Sequence, residues 1–178
     1  MLAIDIPAAE QFDEAANRFI YTKATNLQME HSLISLAKWE SKWHKPFLGK
    51  EQKSAEETID YLRCMTITQN VDPRVYYAIP NKQMEEIKAY IDNKMTATWF
   101  SEGGKQSNEI ITAEIIYDWM IAFNIPAEYA KWHLNRLLTL IRVRSIKSAP
   151  QKKIKPEEQA KNYRALNAAR KKKLGTRG

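Results

Sequence analysis

Few residues in this chain have side chains and spacings that could bind a metal ion. The three histidines are His31, His44 and His133, and the first two fall in the stretch "HSLISLAKWESKWHKPFLG" at residues 31–49. No histidine lies one helical turn from another, and the single cysteine, Cys64, has no second thiol to pair with. The chain therefore lacks the local ligand spacing of a zinc site, and we predict no metal centre.

The signs of enzymatic chemistry are equally sparse. Nucleophilic catalysis requires a nucleophile, a base and a group that orients the base, yet the sequence has no G-x-S-x-G motif. Cys64 lies in the apolar run "IDYLRCMTIT", which indicates a core position, and the pairs Glu56–Glu57 and Glu85–Glu86 fall on polar helix faces. We expect no catalytic residue, no cofactor and no enzymatic activity. A lone cysteine also favours a reducing, cytoplasmic location.

The stretch 31–49 is better explained as an amphipathic helix. Its apolar residues recur at intervals of three and four positions and therefore share one helix face: Leu36, Trp39 and Trp43. Ser32 or Ser35 can cap the start, and Pro46 stops the helix because the residue before a proline is pushed out of the helical region. The aromatic face of this helix is either part of the core or a docking surface.

Two β-hairpins are predicted around the helices. Residues 2–7 alternate apolar and polar side chains, and residues 18–29 are rich in β-branched and aromatic types, so they read as paired strands joined by residues 10–17. Residues 96–100 and 108–112 predict a second, short hairpin around an "EGG" turn.

Further helices follow from their capping signals. Ser54 and Glu57 form a capping box at the start of one helix, and Thr112 precedes a helix through residue 124 that is apolar on more than one face. We expect that helix to lie at the centre of the core. Pro126 begins the longest helix, which is predicted to run to residue 148. Its predicted buried side consists of Tyr129, Trp132, Leu137, Leu140 and Ile141. The predicted fold is α+β and mainly α-helical, with both hairpins packed on a helical bundle and a basic helical C-terminal tail.

Charge divides the chain unevenly. Residues 142–178 hold 13 Lys and Arg and two Asp and Glu, a net charge of +11, so residues 1–141 carry −4 of the overall +7. We predict a globular domain over residues 1–148 and a basic linker with a helical tail over 149–178. The longest apolar run, "IIYDWMIAF", is interrupted by Asp118 and is too short for a membrane span of roughly 18 residues.

Residues 156–174 of the tail are compatible with a helix that has acidic residues first, basic residues last and Gly175 after its end. Because it carries few large apolar residues, we expect it to be mobile until it binds a partner. The residues proposed to contact a partner are aromatic, apolar or basic: Trp39, Trp43, Trp132, Arg136, Tyr163, Leu166, Arg170, Lys171, Lys172 and Lys173.

Three segments, residues 29–47, 114–143 and 162–178, resemble small cytoplasmic proteins encoded in the tail-morphogenesis clusters of tailed bacteriophages and prophages. Within that group the chain is most similar to tail assembly chaperones. The resemblance implies a non-enzymatic protein of the host cell cytoplasm that binds the long, helical tape-measure protein, or other tail proteins, and keeps it soluble until tail-tube subunits polymerise around it. It supplies no catalytic residues.

Two alternatives belong to other classes. The protein could be a structural component of the virion, in the tail or at the head–tail junction. It could also bind nucleic acid through its basic tail by neutralising phosphates. The second is not favoured, because no zinc finger, helix-turn-helix or aromatic-interleaved RNA-binding motif is present. Self-association remains open, and no contact with membranes is expected.

Overall fold

The computed structural model describes residues 1–13, 17–98, 100, 110–149 and 156–175. Its strands are β1 (Leu2–Ile6), β2 (Ala9–Asp13), β3 (Arg18–Thr22) and β4 (Thr25–Met29). Its α-helices are α1 (Leu33–Trp43), α2 (Ala55–Met65), α3 (Asn81–Asp92), α4 (Ala113–Ala122), α5 (Leu134–Ser148) and α6 (Pro156–Leu174). Two 3₁₀ helices cover Pro73–Ala78 and Ala127–Lys131. The predicted mainly helical α+β fold is therefore confirmed.

The N-terminal hairpin is present, and it is longer than predicted. β1 pairs antiparallel with β4, and β2 pairs antiparallel with β3, so residues 10–13, which were predicted to lie in the connection, belong to a strand. Alternate side chains of the β1–β4 pair point into the core, as the period of two in a strand requires. These buried residues are Ile4, Ile6, Leu27 and Met29.

The prediction of a second hairpin over residues 96–112 is wrong for the part of it that the structure describes. Residues 96–98, 100 and 110–112 are not strands, while residues 99 and 101–109 lie outside the described residues. Side chains bond to nearby backbone here in place of a strand ladder. Asn93 Oδ1 accepts a hydrogen bond from the N–H of Met95, and Thr96 Oγ1 accepts one from the N–H of Thr98. The second two-stranded sheet is instead the β2–β3 pair.

Helix α1 lies between two hydrophobic clusters. In the first cluster Trp39 packs with the inner face of the hairpin, with α2 and with α3. In the second cluster Leu33 and Leu36 pack with α4 and α5. The prediction that the helix after Thr112 is the central one is wrong, because only one face of α4 is buried and its Ile121 is 76% exposed.

A carboxylate from α1 satisfies the start of α4. Thr112 occupies the N-cap position but makes no side-chain capping bond. Instead Glu40, which is 7% exposed, reaches across with both carboxylate oxygens. Oε2 accepts a hydrogen bond from the N–H of Ala113 at 2.7 Å, and Oε1 accepts one from the N–H of Phe47 at 2.7 Å. Glu40 thus replaces the predicted local cap and joins α1, the turn after it and α4.

The predicted helix from Pro126 to residue 148 is broken. The 3₁₀ helix ends at Lys131, and α5 begins only at Leu134. The interruption has a tertiary cause, since His133 forms a backbone bridge with Ser32 and the N–H of Leu134 donates to the carbonyl of His31 at 2.7 Å. Of the predicted buried side, Leu137 and Ile141 are buried, whereas the remaining three residues are half-buried: Tyr129, Trp132 and Leu140.

The chain divides into two units, Met1–Ile146 and Lys147–Gly178. In the second unit α6 begins at Pro156 and ends at Leu174, as predicted, and Gly175 takes the left-handed φ of +65° typical of a helix end. Across the described ranges, no helix is both long and apolar enough to cross a lipid bilayer.

Candidate docking surface

An apolar groove runs between α4 and α5. On α4, Ala113, Ile116 and Met120 point into the core, and the neighbouring positions Trp119 and Phe123, one turn apart, stay half-buried at its edge. These two residues form one wall of a recess of about 340 Å³. The recess is open and mainly apolar, which is the character of a surface that binds an apolar side of another chain.

The other wall of the groove belongs to α5. Its lining residues Leu138, Ile141, Arg142 and Ser145 are spaced at i, i+3, i+4 and i+7 and so lie along one face of the helix. Ile141 is buried, Leu138 is half-buried, and Arg142 and Ser145 are exposed. Side chains from α5 and from the end of α4 therefore frame the recess together.

A second, half-buried aromatic feature lies at the junction between the 3₁₀ helix and α5. The rings of Tyr129 and Trp132 stack with centroids 3.9 Å apart and planes inclined by 16°. The guanidinium of Arg136 lies 4.0 Å from the centroid of the Trp132 ring. Trp132 and Arg136, both predicted as contact residues, are thus brought together in a cation–π stack.

The tryptophans of α1 have a different role. Trp39 is 1% exposed, and its indole N–H donates to the carbonyl of Glu57 at 2.8 Å. Trp43 is half-buried, and its indole N–H donates to Asp60 Oδ2 at 2.9 Å. The structure therefore assigns Trp39 to the core, so this candidate contact residue is not available at the surface, and it fixes Trp43 against α2.

The remaining predicted contact residues lie on α6. Their described side chains are exposed: Tyr163, Leu166, Arg170, Lys171 and Lys173. Lys172 lies in the same helix.

The fold also brings together two histidines that are about a hundred positions apart in sequence. The rings of His31 and His133, both buried, have centroids 5.2 Å apart. His31 Nδ1 lies 2.5 Å from the hydroxyl of Tyr61, and His133 Nε2 donates to the carbonyl of Tyr90 at 2.9 Å. Burial lowers the pKa of both histidines, that of His31 to about 4, so both rings are neutral at pH 7.

The surroundings of this histidine pair indicate a structural role. His133 Nδ1 is buried and makes no hydrogen bond within the described residues. In the parts of the chain that the structure describes, no three His, Cys, Asp or Glu side chains are grouped so as to hold a metal ion.

Cys64, expected in the core, is half-buried against the first hydrophobic cluster. Burial raises the pKa of its thiol, which makes it a poor nucleophile.

The groove residues Trp119, Phe123 and Leu138 were absent from the sequence-based set of contact residues. Their signal was present, because Trp119 and Phe123 are four positions apart and Leu138 recurs at helical spacing with Arg142 and Ser145. It was missed because α4, apolar on more than one face, was expected to lie at the centre of the core.

Comparison with known proteins returns no match: no protein-family model, no curated protein and no solved structure is similar to this chain.

Proposed function

We propose that this protein is a tail assembly chaperone of a tailed bacteriophage, a non-enzymatic cytoplasmic protein that binds the helical tape-measure protein during tail morphogenesis. The proposal rests on the resemblance of residues 29–47, 114–143 and 162–178 to that group. The observation that carries it is the apolar groove between α4 and α5, since its lining residues fall almost entirely within 114–143.

The groove suggests how such a chaperone would work. An exposed helix with an apolar stripe aggregates unless the stripe is covered, and an apolar groove can cover such a stripe, whose own anchors recur at i, i+3, i+4 and i+7. Leu138 and Ile141 would contact the stripe from one side, and Trp119 and Phe123 from the other. Arg142 at the rim adds a charge that favours a helix with a carboxylate along its edge.

The test is co-expression with the tape-measure protein of the same phage. A Ser145→Glu variant places a carboxylate in the groove, where a docked apolar stripe would bury it at high cost. We expect the soluble, co-purifying fraction of the tape-measure protein to fall sharply. Ser148→Glu is a matched control, because Ser148 is also an exposed serine of α5 but does not line the groove.

Two results would overturn the proposal. One is an equal soluble fraction with both variants and the wild type. The other is stoichiometric presence of the protein in purified virions by mass spectrometry, since a chaperone leaves before the particle matures. The latter result would favour the structural virion alternative.

A further inference from the structure

A polar recess adjoins the apolar groove and shares Arg142 with it. It has a volume of about 230 Å³ and is lined by Lys94, Thr96, Thr98, Phe100, Asn135, Thr139 and Arg142. The described residues that line it include two cations, three hydroxyl groups and no acidic side chain. Such a lining suits an oxyanion, since ammonium, guanidinium and hydroxyl groups all donate hydrogen bonds to phosphate.

The recess is preorganised by contacts that hold its floor. Asn135 Nδ2 donates to the carbonyls of Ile91 and Asn93, both at 2.9 Å, and so fixes the loop after α3 against α5. Thr96 Oγ1 accepts from the N–H of Thr98 at 3.1 Å, which leaves the Thr96 hydroxyl proton available to a ligand.

An aromatic ring stands beside the cation at this site. The guanidinium of Arg142 lies 4.2 Å from the centroid of the Phe100 ring. A guanidinium that uses its face on a ring keeps its N–H edge for a phosphate. An aromatic ring next to a phosphate-binding cation is the combination with which proteins bind single-stranded nucleic acid, where the base stacks and the backbone is neutralised.

The charge distribution points to a long polyanion as the ligand. Arg142 is the first basic residue of the segment 142–178, which carries the net charge of +11. Arg144 and Lys147 on the last turns of α5 are exposed, as are Arg164 and Arg170 on α6. A long polyanion can neutralise more of these cations than a single phosphate can.

We propose that the recess around Arg142 and Phe100 binds single-stranded nucleic acid, with a phosphate held by Arg142 and the Thr96 hydroxyl and a base stacked at Phe100. The basic segment that follows adds non-specific contacts to phosphates outside the recess. This inference does not rest on the proposed chaperone function, because the loop after α3, Asn135 and Thr139 line the recess and not the apolar groove, and Arg142 is the residue that the two linings share.

Fluorescence anisotropy on the full chain tests the proposal, with a fluorescein-labelled 12-nucleotide oligothymidylate, an oligouridylate of equal length and a duplex of equal length. We expect single strands to bind more tightly than the duplex, because Phe100 requires an unstacked base. Equal binding of the oligothymidylate and the duplex would overturn the stacking role of Phe100. Comparison with oligouridylate distinguishes DNA from RNA as the source of the strand.

Variants of the recess locate the site. Phe100→Leu should weaken single-strand binding by about 5- to 150-fold, the range expected for the loss of one stacked base. Arg142→Gln should lower the slope of log affinity against log salt by about 0.7, which corresponds to one phosphate contact on a single strand. Lys82→Gln, which removes an exposed cation from α3, is the matched control and should leave affinity nearly unchanged.

A further variant distinguishes a loss of binding from a loss of folding. Thr98 is exposed in a loop, so Thr98→Asp should fold normally and yet repel a phosphate, while Asn81→Asp adds the same charge elsewhere. The proposal is overturned if Phe100→Leu, Arg142→Gln and Thr98→Asp all bind like the controls. If binding then disappears when Arg170, Lys171 and Lys173 are replaced by neutral residues, α6 alone is the binding site.

Discussion

The buried histidine pair predicts that acid destabilises this protein through a defined group. Burial, with a further contribution from the neighbouring His133, lowers the pKa of His31 from 6.5 to about 4. Between these two values the unfolded chain binds a proton at His31 and the folded chain does not, so the free energy of unfolding falls as pH falls. The contribution is fully present above pH 6.5 and is lost progressively toward pH 4.

The size of the effect follows from the two pKa values. Lowering the pH from 7.5 to 5 should reduce the free energy of unfolding by about 2 kcal/mol through His31 alone, and by about 3 kcal/mol once the pH is well below 4. The lowered pKa of His133 adds a loss in the same direction. This is a substantial share of the roughly 5–15 kcal/mol that stabilises a typical domain.

Urea denaturation followed by tryptophan fluorescence at pH 7.5 and pH 5 measures this difference. His31→Phe removes the titrating group and should lose less stability on acidification than the wild type, by about 2 kcal/mol. His44→Asn is the control, because His44 is exposed and its left-handed backbone, φ 52°, suits asparagine. Equal losses of stability by the wild type and His31→Phe between the two pH values would refute the role assigned to His31.

Three further predictions concern stability and can be measured by the same denaturation experiment at pH 7.5. Glu40→Gln should lower the free energy of unfolding by about 1–3 kcal/mol, because glutamine has one side-chain oxygen and so cannot accept hydrogen bonds from the N–H groups of both Phe47 and Ala113 as the two carboxylate oxygens do. An unchanged denaturation midpoint would contradict the bridging role of Glu40. Trp39→Ala should cost about 3–5 kcal/mol as a large core truncation, and a neutral result would reassign this side chain to an interface. Ser54→Ala should cost about 1 kcal/mol through loss of the capping box of α2, whereas no change would mean that water replaces the cap.

Short sequence patterns correctly predicted the caps of α1 and α2 and the end of α1. The capping box of Ser54 and Glu57 is present, and Ser32 and Ser35 cap α1 reciprocally. α1 ends at Trp43, before Pro46, with His44 in the left-handed conformation. These features depend on residues within four positions of one another, so the sequence around them is sufficient to specify them.

Contacts between distant residues could not be predicted in this way. The break before α5 depends on His133 meeting Ser32, and the start of α4 depends on Glu40, which is 73 positions away from Ala113. The hydrophobic pattern of α4 is compatible with burial on several sides, and only the packing of α1 between the two clusters determines which side is exposed. For the same reason the apolar groove was missed, whereas the contact of Trp132 with Arg136, four positions apart, could be anticipated.

The position of Glu40 has a consequence for synthesis on the ribosome. Its carboxylate lies in α1, but one of its two hydrogen-bond donors, the N–H of Ala113, belongs to a segment translated much later. Until residue 113 leaves the exit tunnel, this oxygen has no donor from α4 and stays in contact with water. The first hydrophobic cluster, whose buried residues all precede residue 91, can therefore pack during translation, whereas the second cluster and the link from Glu40 to α4 must wait until α4 and α5 have been made.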